Sequence, residues 1–121
     1  MSAENQQPEE SFGQRIQRLR RRRGLTQRQV AAQLGIDFTY LSKLENDRGE
    51  PPGEDTIRGL ATLLETDEEM LLAMAGKVPA GLRDRARDDI EFARFLRRLP
   101  SIPDSEMQEI YKKLGIPPAD Q

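Results

Sequence analysis

The side chains in this sequence that could do chemistry are carboxylates, arginines, lysines and neutral hydrogen-bonding groups. There is no cysteine and no histidine. That removes thiolate nucleophiles, disulfides, sulfur-ligated metals and the imidazole that most often moves protons near neutral pH. A serine–histidine–aspartate hydrolase is excluded outright. Paired carboxylates can act as general acid and base, and Glu54, Asp55, Asp67, Glu68 and Glu69 form two acidic groups. Both groups fall at predicted helix starts, where negative charge complements the helix dipole, and that explains them without catalysis. The expectation is a protein that is not an enzyme and uses no metal and no cofactor.

What remains is charge and where it lies. Nineteen basic and 21 acidic side chains leave a net −2. Nucleic-acid-binding proteins usually carry a basic footprint, so the total by itself points away from such a partner. The segments disagree with the total. Residues 1–10 carry −3, and residues 11–50, with nine basic and four acidic side chains, carry +5. Residues 51–76 carry −5, residues 77–100 carry +3, and residues 101–121 carry −2. Attraction to a polyanion would be confined to one part of the chain. Arg20 to Arg23 form a run of four, but successive helical residues point about 100° apart, so they cannot all face one partner.

The elements that position these groups are helices. The opening MSAENQQPEE is polar and acidic, which predicts a disordered tail over residues 1–10 and is unlike a signal or transit peptide. From Ser11, the residues Phe12, Ile16 and Leu19 form one helical stripe, which stops at Gly24. Thr26 can cap a second helix with Val30, Ala31 and Leu34 inward and Gly35 at its end. Asp37 can cap a third, burying Leu44 with Tyr40 or Leu41. Asn46 to Gly53 holds two prolines and two glycines and reads as a loop. A fourth helix starts near Asp55 or Thr56 and buries Ile57, Leu60, Ala61 and Leu64. Thr66 can cap a fifth carrying Met70, Leu71, Leu72 and Met74. A sixth helix covers about residues 80–98. A seventh runs from Asp104 or Ser105 to Lys113, with Ser105 and Gln108 spaced as a capping box. No segment alternates with period two, so the fold class is all-α, five helices followed by two. The longest apolar stretch, Met70 to Ala75, is far short of the ~20 residues a membrane span needs, and the expected location is cytoplasmic.

The informative stretch is Gly24 to Asn46, GLTQRQVAAQLGIDFTYLSKLEN. Two short helices joined through a glycine are what a helix-turn-helix requires. The stretch resembles the phage-repressor type of helix-turn-helix, the Cro/C1 or XRE family. The residues that carry the resemblance are Gly24, Leu25, Thr26, Gln27, Val30, Ala31, Leu34, Gly35, Ile36, Leu41, Ser42, Leu44 and Glu45. Asp47 departs from it, standing where the family often has glycine. The resemblance implies a five-helix DNA-binding domain over residues 11–76, with the motif at 26–46, in a bacterial, archaeal or phage regulator of transcription. It implies an internal ion pair between Arg20 and Glu45. It places the start of the third helix in the major groove, where Phe38, Thr39, Ser42 and Lys43 face outward with Tyr40 at the edge. Lys43 then suits guanine O6 and N7, Thr39 a base edge, and Phe38 a thymine methyl. Gln27, Asn46 and Arg48 become phosphate contacts, which orient the protein without reading sequence.

A module of this size binds DNA weakly, and relatives of this kind pair so that two recognition helices meet successive turns of a palindrome. Residues 77–121 are the expected arm. Leu82, Ile90, Phe92, Phe95, Leu96, Leu99, Ile110, Tyr111 and Leu114 are its dimerisation candidates, because they offer more apolar surface than isolated helices can expose. The reading is a homodimeric repressor of double-stranded DNA at a palindromic operator, with no membrane partner. Two alternatives use the same residues. One is an antitoxin whose tail binds a toxin, or a regulator whose tail binds a protease. The other is a protein-interaction adaptor that keeps the helix-turn-helix shape without binding DNA.

Overall fold

Helix signals spaced three and four residues apart run through almost the whole sequence, and the computed structural model, which describes residues 10–118, is all-α over that range. The chain divides into two compact units between Val78 and Pro79.

The first unit contains α1 (Phe12–Arg22), α2 (Gln27–Leu34), α3 (Phe38–Glu45), α4 (Glu54–Leu64) and α5 (Glu68–Met74). Their boundaries follow local chemistry. Ser11 and Gln14 make a capping box at the start of α1, and Thr26 and Gln29 make another at α2, so orphan N–H groups are met at both starts. Gly35 ends α2 at φ +68°, a left-handed conformation that costs glycine little. Asp37 occupies the N-cap position of α3 without a side-chain cap bond. The fourth helix begins a residue before the predicted Asp55, at Glu54 behind Gly53. The cap of α5 is Asp67, whose carboxylate accepts the Glu69 N–H at 2.9 Å, in place of the expected Thr66.

Each helix buries one stripe. Ile16 from α1, Val30 and Ala31 from α2, Leu41 and Leu44 from α3, Ile57, Leu60, Ala61 and Leu64 from α4, and Leu71 from α5 form one core. The larger of these each contribute on the order of 1.5–3 kcal/mol by leaving water. Leu41 is the fully buried member of the Tyr40/Leu41 alternative, and Tyr40 packs half-buried at the margin. The start of α1 lies close against the end of α3. A Cβ on Gly13 would stand 2.5 Å from the Leu44 carbonyl oxygen and 2.7 Å from that of Glu45, so only glycine fits.

In the second unit the expected single helix over 80–98 is two helices, α6 (Leu82–Asp88) and α7 (Ile90–Arg98). The break is Asp89, which leaves helical geometry at φ −135°, ψ 103° and accepts the Phe92 N–H at 3.1 Å as the cap of α7. A 3-10 turn, Leu99–Ser101, follows, and then α8 (Asp104–Leu114). Three α-helices thus replace the predicted two. The Ser105–Gln108 capping box is absent, because α8 already starts at Asp104 behind Pro103 and Ser105 lies inside it. No described residue of this unit is buried. No helix among the described residues is long and apolar enough to cross a membrane.

Of the segment 1–10 that composition marks as a disordered tail, residues 1–9 lie outside the described residues. Glu10 is described and is held in place. Its carboxylate accepts from Arg15 Nε at 2.9 Å and from Arg18 Nε at 2.6 Å.

Candidate nucleic-acid interface

The interface is built on α2 and α3, which cross with Val30, Ala31, Leu41 and Leu44 buried between them and the rest of the first unit. What those residues bury fixes what the others present. On α3, Thr39 and Lys43 are exposed one turn apart on the same face, with Ser42 half-exposed beside them. The side-chain amide of Asn46 donates to the Ser42 carbonyl at 2.8 Å and so closes the end of α3. The Arg48 N–H bonds the Lys43 carbonyl at 2.8 Å. The Arg48 side chain borders a depression lined by Phe12, Leu44, Pro52 and Ala75.

Beneath the two helices lies an ion pair. Arg20 and Glu45 are 8% and 3% exposed. Arg20 Nε lies 2.6 Å from Glu45 Oε2, and Nη2 lies 3.0 Å from Oε1. The same guanidinium donates through Nη1 to the Leu25 carbonyl at 2.9 Å. This two-pronged bond ties the end of α1 to the end of α3, across the turn that leads into α2. Gln27 belongs to the same network. Its Nε2 donates to Glu45 Oε1 at 2.8 Å, so this side chain is turned toward the pair and only half-exposed. With one amide N–H given to Glu45, the donors that Gln27 keeps for the expected phosphate contact are its backbone N–H at the start of α2 and the second N–H of the amide.

Phe38 is placed differently from the expectation. It is half-buried and packs on the core, and the guanidinium carbon of Arg28 sits 4.4 Å from its ring centroid. A phenylalanine covered on one face by an arginine cannot lay that face on a thymine methyl. Nothing local in the sequence marks Arg28, because an exposed arginine on a helix is ordinary and its aromatic partner is ten residues away. Gln17, Arg21, Thr26, Gln27, Arg28 and Phe38 line one shallow depression of about 580 Å³ beside the start of α2.

Charge is sorted by position. Arg15 and Arg18 are paired with Glu10, Arg20 with Glu45, and Arg23 with Glu65 at 2.6 Å. Arg58 is surrounded by Glu54, Asp55 and Glu68. The Glu10 carboxyl is lowered to about 2 by the hydrogen bond from Arg18, helped by Arg15 and opposed by burial, and Arg18 is raised by the same bond. Among the described residues of the first unit, Arg21, Arg22, Arg28, Lys43, Arg48 and Lys77 join no ion pair, and all but Lys77 lie within residues 21–48; in the second unit Arg85 and Arg87 are paired and the other basic side chains are not. Within the run of four arginines, Arg23 is thus occupied by Glu65.

Asp47 is the departure from the motif, and its geometry accounts for it. It adopts φ +57°, the conformation that favours glycine. Its Oδ1 accepts the Gly13 N–H at 2.9 Å and its Oδ2 accepts the Ser11 hydroxyl at 2.5 Å. The carboxylate caps α1 from the far side of the motif.

The arm candidates are sorted by exposure within the second unit. Ile90, Phe95, Tyr111 and Leu114 are exposed, at 63%, 51%, 37% and 69%. Leu82, Phe92, Leu96, Leu99 and Ile110 are half-buried. The Phe92 and Phe95 rings lie 6.2 Å apart between centroids, tilted by 39°, and the Arg85 guanidinium lies 4.6 Å over Phe92.

Five helices around one core, with the second and third joined by a left-handed glycine and most of this unit's unpaired cations between residues 21 and 48, define a helix-turn-helix unit. Residues 11–74 match the family model described as a helix-turn-helix domain, and the chain belongs to that family, in the phage-repressor-like XRE form that its motif resembles. The chain is 42% identical over 69 residues to the uncharacterized HTH-type transcriptional regulator RghRB of Bacillus subtilis (strain 168), covering 57% of this chain and 50% of that one. It is 36% identical over 69 residues to the HTH-type transcriptional repressor RghR of the same organism, covering 57% and 51%. The uncharacterized HTH-type transcriptional regulator y4dJ of Sinorhizobium fredii (strain NBRC 101917 / NGR234) is 38% identical over 71 residues, covering 59% of this chain and 91% of that one. The matched region spans about half the length of each Bacillus relative.

Proposed function

We propose that the protein is a sequence-specific DNA-binding regulator of transcription, acting as a homodimeric repressor that occupies a palindromic operator. The observation that carries this reading is the sorting of cations. Within the first unit, five of the six basic side chains that join no ion pair lie in residues 21–48, Lys77 being the sixth, whereas Arg15, Arg18, Arg20, Arg23 and Arg58 are all paired. Unpaired cations gathered about a helix that fits the major groove are what phosphate neutralisation uses. Thr39 and Lys43 supply exposed donors for base edges. The names of two relatives, a transcriptional regulator and a transcriptional repressor, agree in class. Repression in this reading is steric, since an occupied operator excludes the polymerase.

The homodimer rests on the second unit. It has no buried residue and exposes Ile90, Phe95 and Leu114 by half or more, a surface that a second copy would cover. Paired recognition helices would meet half-sites about 34 Å apart. Selection from randomised duplexes at stated salt tests both parts. The expected product is a palindrome with half-sites about one helical turn apart. An enriched single half-site would remove the dimer, and no enrichment would leave the adaptor reading.

A further inference from the structure

We infer that Arg28 reads a base in this interface, that the base is guanine, and that Phe38 holds the guanidinium in position for it. The inference rests on the DNA-binding reading above and assigns to it a residue that the helix-turn-helix motif leaves without a role.

Three observations carry it. Arg28 is the second residue of α2 and Phe38 the first of α3, and the turn between these helices brings them together beside the start of α3, next to the exposed Thr39. The guanidinium carbon lies over the ring, 4.4 Å from its centroid, and the ring is anchored because Phe38 packs on the buried core. Finally, Arg28 is exposed and joins no ion pair among the described residues, while the neighbouring Gln27 is turned inward to Glu45.

The chemistry follows from the shape of the group. A guanidinium carries its N–H donors in one rigid plane and meets guanine O6 and N7 with two of them side by side. A phosphate is satisfied by a cation that swings freely, and Arg21, Arg22 and Arg48 can supply that. A fixed plane becomes useful where two donors must meet two acceptors in the plane of a base. Stacking on an anchored aromatic ring fixes the plane and leaves the donor edge open. Phe38 is thus a positioning residue. It does not read a thymine methyl with the ring face that Arg28 covers.

The test uses the full chain. A preferred duplex is selected at stated salt, and binding to it and to its single-base variants is measured for wild type, Arg28→Ala, Arg28→Lys, Phe38→Leu and Phe38→Tyr. The wild-type site is expected to hold a guanine in each half-site whose preference, about 5- to 150-fold, is lost in Arg28→Ala while the preferences at other positions persist. Arg28→Lys should restore part of the affinity without the guanine preference. Phe38→Leu, which keeps an apolar contact with the core, should relax the same single position, and Phe38→Tyr should restore it. Melting curves of each variant are recorded alongside. If Phe38→Leu fails to fold, the two Arg28 variants decide the base-reading claim, and Phe38→Tyr must then keep the preference. Loss in Arg28→Ala that is equal for every duplex, with a shallower salt dependence, would make Arg28 a phosphate contact and overturn the proposal. A folded Phe38→Leu with its guanine preference intact would overturn the positioning role. If the wild type enriches no duplex at all, the DNA-binding reading itself fails.

Discussion

The carboxylate of Asp47, two residues past the end of α3, accepts the N–H of Gly13 at 2.9 Å and caps α1 from 34 residues away. The same side chain takes the Ser11 hydroxyl, and the residue itself sits at φ +57°. Two effects oppose each other at this position: the cap stabilises, and the left-handed backbone costs about 1–2 kcal/mol for a residue other than glycine. Asp47→Ala keeps the strain and loses the cap, and it should destabilise by about 1–3 kcal/mol. Asp47→Gly loses the cap but relieves the strain, so it should cost less than Asp47→Ala. Urea unfolding at neutral pH gives the order. An alanine variant as stable as wild type would show that the carboxylate contributes nothing.

The Arg20–Glu45 pair is buried on both sides, with Glu45 only 3% exposed. Removing one partner strands the other charge, which typically costs about 3–5 kcal/mol. Glu45→Ala should cost that much, and it also leaves the Gln27 amide without its acceptor. Replacing both charges, as Arg20→Met with Glu45→Leu, should cost less than Glu45→Ala alone, because no unpaired charge remains. Denaturant midpoints for the single and double variants check this. A double variant less stable than both singles would contradict the account.

The helix-turn-helix was legible because its signals are local. Thr26 with Gln29, Gly35, and the stripe Val30, Ala31, Leu34 all act within one or two turns of their own positions, and a short window of sequence holds them whole. The expected five helices over 11–76 follow from the same kind of signal. What stayed hidden depends on residues far apart in sequence. Asp47 looked like a mere departure from the motif because its partners, Gly13 and Ser11, are more than thirty positions away. Phe38 looked exposed because nothing on its own helix announces the Arg28 that covers it. The commitment of Gln27 is hidden because Glu45, which holds its amide, is 18 residues on. The break at Asp89 has a local signal, an aspartate three residues before Phe92 that can cap a helix, but the apolar positions on both sides of it, Leu82 and Ala86 before and Ile90 and Ala93 after, continue one helical stripe and mask it.

Glu10 gives a pH signature. The Arg18 hydrogen bond, with help from Arg15, holds its carboxyl at about 2 against an ordinary value of 4.5. A lowered folded-state value means the ionised form is favoured by folding. The contribution to stability is therefore complete above about pH 4.5 and fades as pH falls from there toward 2. The pair is partly open to solvent, so the effect on global stability is small. The site itself reports clearly by NMR titration of the Glu10 carboxyl carbon. Arg18→Ala should move its midpoint up toward the ordinary value. A midpoint near 4.5 in the wild type would mean that Glu10 does not hold the two arginines in solution.

The first unit contains every buried residue among those described, so it should fold without the second. A chain ending at Val78 is expected to melt cooperatively, sediment as a monomer, and bind a single half-site without cooperativity. Charge substitutions at the exposed positions of the second unit, Ile90→Glu or Leu114→Lys, should also give monomers in the full chain while leaving the melting of the first unit unchanged. Analytical ultracentrifugation over a range of concentrations decides it. A shortened chain that still sediments as a dimer would move the self-association surface into the first unit.

Lys43 and Gln27 should separate base reading from backbone anchoring. Lys43 is exposed on α3, and if the proposed function is right, Lys43→Ala should cost about 1–3 kcal/mol on the preferred duplex and less on duplexes altered at the base it meets. It should also make the salt dependence shallower, because one cation has been removed. Gln27 is neutral and its amide is bound to Glu45, so Gln27→Ala should weaken binding to all duplexes by the same factor and leave the salt slope unchanged. It should also lower the denaturant midpoint modestly, since a buried carboxylate oxygen loses a donor. Binding isotherms for both variants, on the preferred duplex and a scrambled one at several salt concentrations, distinguish the roles. Equal loss for Lys43→Ala on both duplexes would reduce it to a phosphate contact.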